Sequence, residues 1–148
     1  MIGRSAFSEC EALQEIRLPD GLKEIGSDAF SGCRSLRQIT VPVGVKCIET
    51  AVFQACRALQ EVHLPVGLKQ IGMFAFEDCD TLTRIVLPAS LKRLCRGAFE
   101  HCTSLLDAQL PERLEELQAD EFEYFPSLQK VRIPAQGEPI ERTTLYYS

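Results

Sequence analysis

Cysteine and histidine are the residues of this sequence with the widest chemistry, because they can form disulfides, ligate metals or act as nucleophiles and bases. The 148-residue chain has seven cysteines and two histidines. No CxxC or HExxH string occurs. Five of the cysteines are separated by 23 residues each time: Cys10, Cys33, Cys56, Cys79 and Cys102. Such regular spacing indicates a repeated structural unit rather than one set of metal ligands.

The two histidines lie where catalytic partners are not expected. His63 shares a predicted strand face with Glu61, and no nucleophile lies beside it in the neighbouring repeats. His101 stacks beside Asp78 of the preceding repeat, but Cys102 should point inward, so a Cys–His metal pair would lack further ligands. Solvated imidazoles are the favoured interpretation. The sequence therefore predicts no catalytic residue, no metal ligand and no cofactor, and indicates that the protein is not an enzyme.

Disulfides between successive cysteines of the column are compatible with distance, because stacked repeats bring their Cα atoms to about 5 Å. Reduced, packed thiols are the favoured alternative, since the column behaves as a layer of small apolar side chains. The odd total of seven leaves one thiol unpaired in any scheme. Reduced cysteines and the lack of a leader sequence favour an intracellular location.

The whole chain is organised by the 23-residue period, which predicts a single domain over residues 1–148. Each unit is too short to bury its own apolar face, so stacking against the next unit must supply the core. Leucine, isoleucine and phenylalanine recur in fixed columns, and each LxxIxL string is followed by a proline. The predicted units are six full repeats, 2–24, 25–47, 48–70, 71–93, 94–116 and 117–139, and a partial seventh, 140–148.

Two segments of each repeat have distinct patterns. The end of LxxIxL alternates apolar and polar residues, which predicts a short, half-buried strand that pairs in parallel with its neighbours and stops at the proline. The GxxAFxxC segment, with small residues and one phenylalanine, predicts a short helix or turn on the opposite side. The expected fold is an α/β solenoid.

The string LxxIxLPxxLxxIGxxAFxxC resembles the consensus of the BspA-like, or Treponema pallidum-type, leucine-rich repeat family. The resemblance covers the whole chain. It implies a right-handed superhelix with a six-stranded parallel concave sheet, and short helices or turns on the convex side. It also implies protein binding without catalytic residues, and it favours the cell surface, so the location stays open between the two expectations.

Charge and hydropathy exclude two classes of partner. Sixteen basic and 21 acidic residues give a net charge of −5, so the basic footprint of a nucleic-acid-binding protein is missing. No apolar run approaches the roughly 20 residues that a membrane span needs. A protein or peptide is the expected partner, and the chain is a candidate component of a larger complex.

The outward side chains of the predicted strands form the candidate binding strip. The residue type at each outward position changes at almost every repeat, whereas the residue types of the core columns barely change. Because identical positions cannot distinguish one ligand from another, we expect the changing outward residues to recognise the partner. The alternative is that opposite charges in the strip pair with one another. One column contains Glu15, Glu61, Arg84, Asp107 and Lys130, and the other contains Arg17, Thr40, His63, Val86, Gln109 and Arg132.

Two functions follow from the sequence. The leading hypothesis is a non-enzymatic protein–protein interaction module that presents a concave polar sheet, for adhesion or scaffolding. The alternative is a structural subunit or fragment of a larger assembly, packed through its uncapped ends. Its basis is the first repeat, which predicts Phe7, Leu13 and Ile16 on an uncovered edge.

Overall fold

The computed structural model of the protein describes residues 1–109 and 111, and beyond them the backbone of three strands, 118–119, 130–132 and 139–141. Turns join the strands, and no helix occurs among the described residues. The strands are β1 (Gln38–Thr40), β2 (Cys47–Ile48), β3 (Glu61–His63), β4 (Gln70–Ile71), β5 (Arg84–Val86), β6 (Arg93–Leu94), β7 (Asp107–Gln109), β8 (Gln118–Ala119), β9 (Lys130–Arg132) and β10 (Pro139–Glu141).

The predicted strands of the LxxIxL segments pair in parallel with a register of one repeat, so that Ile39 lies opposite Val62 and Ile85 opposite Ala108. The prediction of one six-stranded sheet is not confirmed. β1 pairs only with β3, whereas β5, β7 and β9 form a second sheet that the antiparallel β10 extends. The segment 15–17 of the first repeat is not a strand.

The interruption between β3 and β5 coincides with looser packing of the third repeat. Val62 and Leu64 are only half-buried against the core. Their counterparts one repeat before and one repeat after are buried: Ile39, Val41, Ile85 and Leu87. The missing ladder and the reduced burial of inward side chains therefore occur at the same repeat.

A second parallel sheet, which the sequence analysis did not predict, is built from the two-residue strands β2, β4, β6 and β8. Its register again steps by one repeat, with Ile48 opposite Ile71 and Ile71 opposite Leu94. The same column begins with a single bridge between Ile2 and Ile25. The coils that carry β3 and β5 are therefore joined by the pairing of β4 with β6, although β3 and β5 themselves do not pair.

Strands β1, β3 and β5 end two residues before their prolines rather than at them. The proline carbonyl then accepts a hydrogen bond from the amide three residues later, as between Val45 and Pro42 at 3.0 Å. Proline therefore begins the turn that follows the strand. This position suits a residue with a fixed φ, which favours turns and cannot donate to a ladder.

The core lies between the strands and the GxxAFxxC segments, and the predicted apolar columns line it. Phenylalanine rings stack along the whole described array, with centroids 5.2 to 5.6 Å apart from Phe7 to Phe99. In the described repeats the GxxAFxxC segments are turns and not helices, which corrects the expected α/β class to an all-β solenoid for this part of the chain. Phe7, Leu13 and Ile16 are half-buried at the first repeat, as predicted.

Candidate functional site

The candidate site is the strand face, which we define as the outward side chains of β1, β3, β5 and β7 and of the segment 15–17. The pairing register places Thr40 beside His63, and Arg84 beside Asp107, so the two predicted columns do form within each sheet. The side chains of Lys130 and Arg132 lie outside the described residues, although their backbone continues the ladder in β9. Asp107 and Gln109 are half-buried, and the other predicted residues are exposed: Glu15, Arg17, Thr40, Glu61, His63, Arg84 and Val86.

Two contacts between a basic and an acidic side chain lie on the described part of the strand face. His63 Nε2 is 3.6 Å from Glu61 Oε2 on the same strand. Arg84 Nε is 4.0 Å from Asp107 Oδ2 on the neighbouring strand. Exposed pairs at such distances contribute about 0–1 kcal/mol to stability, so they set the local potential more than they hold the sheet.

Two grooves cross the strand face at the places where strand pairing is missing. One lies between the first repeat and β1 and has a volume of about 640 Å³. The other lies between β3 and β5 and has a volume of about 500 Å³. Both grooves are shallow and open to solvent. The second groove is lined by Gln60, Glu61, Val62, His63, Thr83, Arg84 and Val86.

The groove between β3 and β5 combines apolar and polar side chains. Half-buried Val62 and exposed Val86, with 43% of its surface accessible, supply apolar area. His63 and Arg84 supply hydrogen-bond donors on either side. The sequence analysis found His63, Arg84 and Val86 but missed Val62, because its column predicts an inward core residue. No sequence signal distinguishes this junction from its neighbours.

The cysteine column is a structural element and not a reactive site. All seven cysteines are free thiols, and four of the five in the column are buried, as the sequence analysis favoured; Cys10 is exposed. Each of the four buried thiols of the column donates to a phenylalanine carbonyl of the preceding repeat. The acceptors are Phe7 for Cys33 at 3.1 Å, Phe30 for Cys56 at 3.2 Å, Phe53 for Cys79 at 3.3 Å and Phe76 for Cys102 at 3.0 Å.

Burial suppresses the acidity of these thiols. It raises the pKa of Cys33 to about 11, with the nearby Cys10 acting in the same direction. Burial also raises the pKa of Cys56 and of Cys79 well above the ordinary thiol value. Outside the column, burial and the adjacent Glu49 carboxylate raise the pKa of Cys47 to about 12. Since the thiolate is the nucleophile, the raised pKa values keep these thiols protonated and weakly nucleophilic at neutral pH.

A profile of the BspA type leucine-rich repeat region matches the chain over residues 1–61 and 24–148, in six copies. The match covers the strand face and the cysteine column together. This chain belongs to the BspA-type leucine-rich repeat family.

Solved structures carry the same fold. The leucine-rich repeat protein of T. pallidum is 33% identical, with a TM-score of 0.81 over 88% of this chain. A leucine-rich repeat protein from Bacteroides ovatus is 28% identical, with a TM-score of 0.63 over 89% of this chain. The chain spans 61% of the first protein and 43% of the second. No curated protein matches the chain in sequence.

The described residues include no helix that is long and apolar enough to cross a membrane.

Proposed function

We propose that the protein is a non-enzymatic protein–protein interaction module that binds a protein or peptide across the strand face, for adhesion or scaffolding. The observation that carries this proposal is the groove between β3 and β5, where an apolar floor is bordered by polar side chains. Repeat solenoids use extended surfaces of stacked strands in this way. The proposal includes a right-handed winding of the coils that makes the strand face concave.

The chemistry of the groove defines the partner. Val62 and Val86 offer a contact for one apolar side chain, and burying such a side chain contributes about 1.5–3 kcal/mol. The donors of His63 and Arg84 suit backbone carbonyls or a carboxylate beside that apolar group. We therefore expect a peptide segment with an apolar anchor and adjacent acceptors. Arg17 and Thr40 border the second groove and extend the contact along the strip.

The non-enzymatic part of the proposal rests on the surroundings of the histidines. His63 faces Glu61, and His101 faces Asp78 and its neighbouring glutamates. Carboxylates orient an imidazole but do not themselves supply the hydroxyl or thiol of a catalytic triad. Burial raises the pKa of the thiols of Cys33, Cys56 and Cys79, and the Cys102 thiol is also buried in the core.

A peptide library displayed on phage tests the proposal without a known partner. Peptides are selected on the wild-type protein and then measured against the variant Thr40→Ala/His63→Ala/Val86→Ala. We expect the selected peptides to bind this variant at least about tenfold more weakly, equivalent to about 1.4 kcal/mol.

The control variant, Met73→Ala/His101→Ala/Thr103→Ala, removes three exposed residues of the same kinds outside the strand face. Met73 matches Val86 in exposure, at 45% against 43%. Circular dichroism checks that both variants are folded. Peptides that bind all three proteins equally, or that lose binding only to the control, would remove the strand face as the site.

The first repeat supports a second candidate function, as a structural part of an assembly. Ile2, Phe7, Leu13 and Ile16 pack against the core but are only half-buried. A second protein surface that covers them would gain apolar contact. Light scattering over a range of concentrations distinguishes the two candidates, since a monomer favours the interaction module and association favours the structural part. The substitution Phe7→Ala should weaken association only in the second case.

A further inference from the structure

Three metal-ligating side chains meet outside the strand face, at the junction of the fourth and fifth repeats. One ligand atom each of Glu77, Asp78 and His101 lies within 4.8 Å of the others. His101 Nδ1 is 3.2 Å from Asp78 Oδ1 and 4.0 Å from Glu77 Oε1. This group is independent of the proposed protein-binding groove.

The repeat geometry brings these side chains together. Asp78 and His101 occupy the same position of successive turn segments, and both have left-handed backbone with φ of 59°. The Asp78 amide donates to the Glu100 carbonyl at 2.9 Å, which fixes the distance between the two coils. The same turn recurs in the earlier repeats, where Gly32 and Ala55 hold the equivalent position. The turn conformation is therefore shared by several repeats, and this junction differs from the earlier ones in its residue types.

Neighbouring side chains hold the ligands in place. The Gln54 side-chain amide donates to Glu77 Oε2, so the other carboxylate oxygen is directed toward His101. The second ring nitrogen, His101 Nε2, is 3.9 Å from Glu100 Oε1. At 3.9 Å the two atoms are too far apart for a hydrogen bond, so the Gln54 bond to Glu77 is the contact that orients a ligand directly.

We propose that Glu77, Asp78 and His101 bind a divalent transition-metal ion of the zinc type. Ligands around a tetrahedral zinc ion at about 2.0–2.1 Å lie roughly 3.3 Å from one another, close to the separation of His101 and Asp78. One imidazole nitrogen with two carboxylate oxygens favours zinc, cobalt or nickel over magnesium or calcium, which prefer oxygen ligands alone.

The solvent exposure of the three side chains indicates an open metal site rather than a closed one. The side chain of Glu77 is 17% exposed and that of Asp78 31%, whereas His101 is 61% exposed. Three protein ligands on a partly open surface leave further coordination positions to water. The site is therefore expected to exchange its ion readily, unlike the closed four-ligand sites that hold small domains together.

Calorimetric titration with ZnCl₂ of the chelator-treated, reduced, full-length protein tests the proposal. We expect one zinc ion per chain, and an affinity that falls about tenfold or more in His101→Ala and in Asp78→Asn. His63→Ala is the matched control, because His63 is 62% exposed and also faces a glutamate, at 3.6 Å. Cys10→Ser tests the exposed thiol as a competing ligand. Both control variants should bind like the wild type, and CaCl₂ should not compete.

Imidazole resonances in NMR spectra provide a second readout that does not depend on heat. Zinc should shift the His101 ring signals and leave those of His63 unchanged. Absence of binding by the wild type, or equal binding by wild type and His101→Ala, would show that the cluster is only a set of ion pairs. Binding that disappears in Cys10→Ser would place the metal on the thiol instead.

Discussion

The turn segments and the strand face follow the same 23-residue period but are bonded differently. In the turn segments each of the first four coils is tied to the next by a short backbone hydrogen bond from a phenylalanine amide, for example from Phe7 to Ala29 at 2.7 Å and from Phe53 to Ala75 at 2.8 Å. On the strand face the ladder stops between β3 and β5. Backbone hydrogen bonding between coils is therefore continuous along the first four turn segments and interrupted on the strand face.

The side chains of the turn segments and of the strand face also differ in how many contacts they make with neighbouring coils. The Phe30 carbonyl accepts both the Cys33 amide, at 3.2 Å, and the Cys56 thiol, at 3.2 Å. Such a position tolerates little change, because the ring, the thiol and the carbonyl are each used by a neighbouring coil. On the strand face the outward side chains differ from coil to coil. In the proposed function, stability and recognition belong to different sides of one repeat, so the strand face can vary without loss of fold.

The largest expected effect that tests this comparison is the loss of an internal ring of the turn segments. Phe53 is fully buried and stacks on Phe30 and Phe76, with centroid distances of 5.6 and 5.3 Å. Phe53→Ala should lower the free energy of unfolding by about 3–5 kcal/mol, through lost burial and a cavity. Urea denaturation followed by circular dichroism measures the change.

Phe7 provides the matched control for that substitution. It stacks only on Phe30, at 5.2 Å, within the described residues, and it is half-buried. Phe7→Ala should therefore cost clearly less than Phe53→Ala. Equal losses would mean that the ring column is not the main source of stability, and that the first repeat is packed as tightly as the third.

A smaller effect is expected from the thiol hydrogen bonds. Cys56→Ala removes the donor to Phe30 and leaves a small cavity, so the free energy of unfolding should fall by about 1–3 kcal/mol. Cys10→Ala, in the same column but exposed, should change it by about 0.5 kcal/mol or less. Equal effects in urea denaturation would show that these thiols serve only as spacers.

Much of the fold could be predicted because the period is strict. A 23-residue step of apolar columns fixes which side chains stack, and the observed register of Ile39 with Val62 and of Ile85 with Ala108 follows it. The half-buried edge of the first repeat was also predictable, since a stack covers only the faces between coils. The burial of four of the five column cysteines agrees with the packed thiols that their spacing favoured.

Other features of the structure could not be predicted from the residue types of the sequence. Val62 and Leu64 match the apolar pattern as well as their neighbours do, so the interruption between β3 and β5 depends on small differences in packing. Two-residue strands such as β4 are too short to show alternation. The sequence left a short helix and a turn open for the GxxAFxxC segment, and the turn forms because each segment satisfies its backbone through the next coil, as in the bond from Phe30 to Val52 at 2.9 Å. The 23-residue period already placed His101 beside Asp78, whereas the approach of Glu77 to both of them follows only from the turn geometry.

The smallest expected effect lies on the strand face itself. Glu61 is exposed, and its partner His63 is 3.6 Å away on the same strand. Because water screens both groups and the pair bridges no coils, Glu61→Ala should change the free energy of unfolding by about 0.5 kcal/mol or less. Arg84→Ala, which removes a pair between β5 and β7, is the comparison, and it should stay below the loss caused by Cys56→Ala. Urea denaturation at low and at high salt measures both variants. If either loss reached that of Cys56→Ala and disappeared in salt, charge pairs on the strand face would help to hold the coils together. The assignment of stability to the turn segments alone would then be wrong.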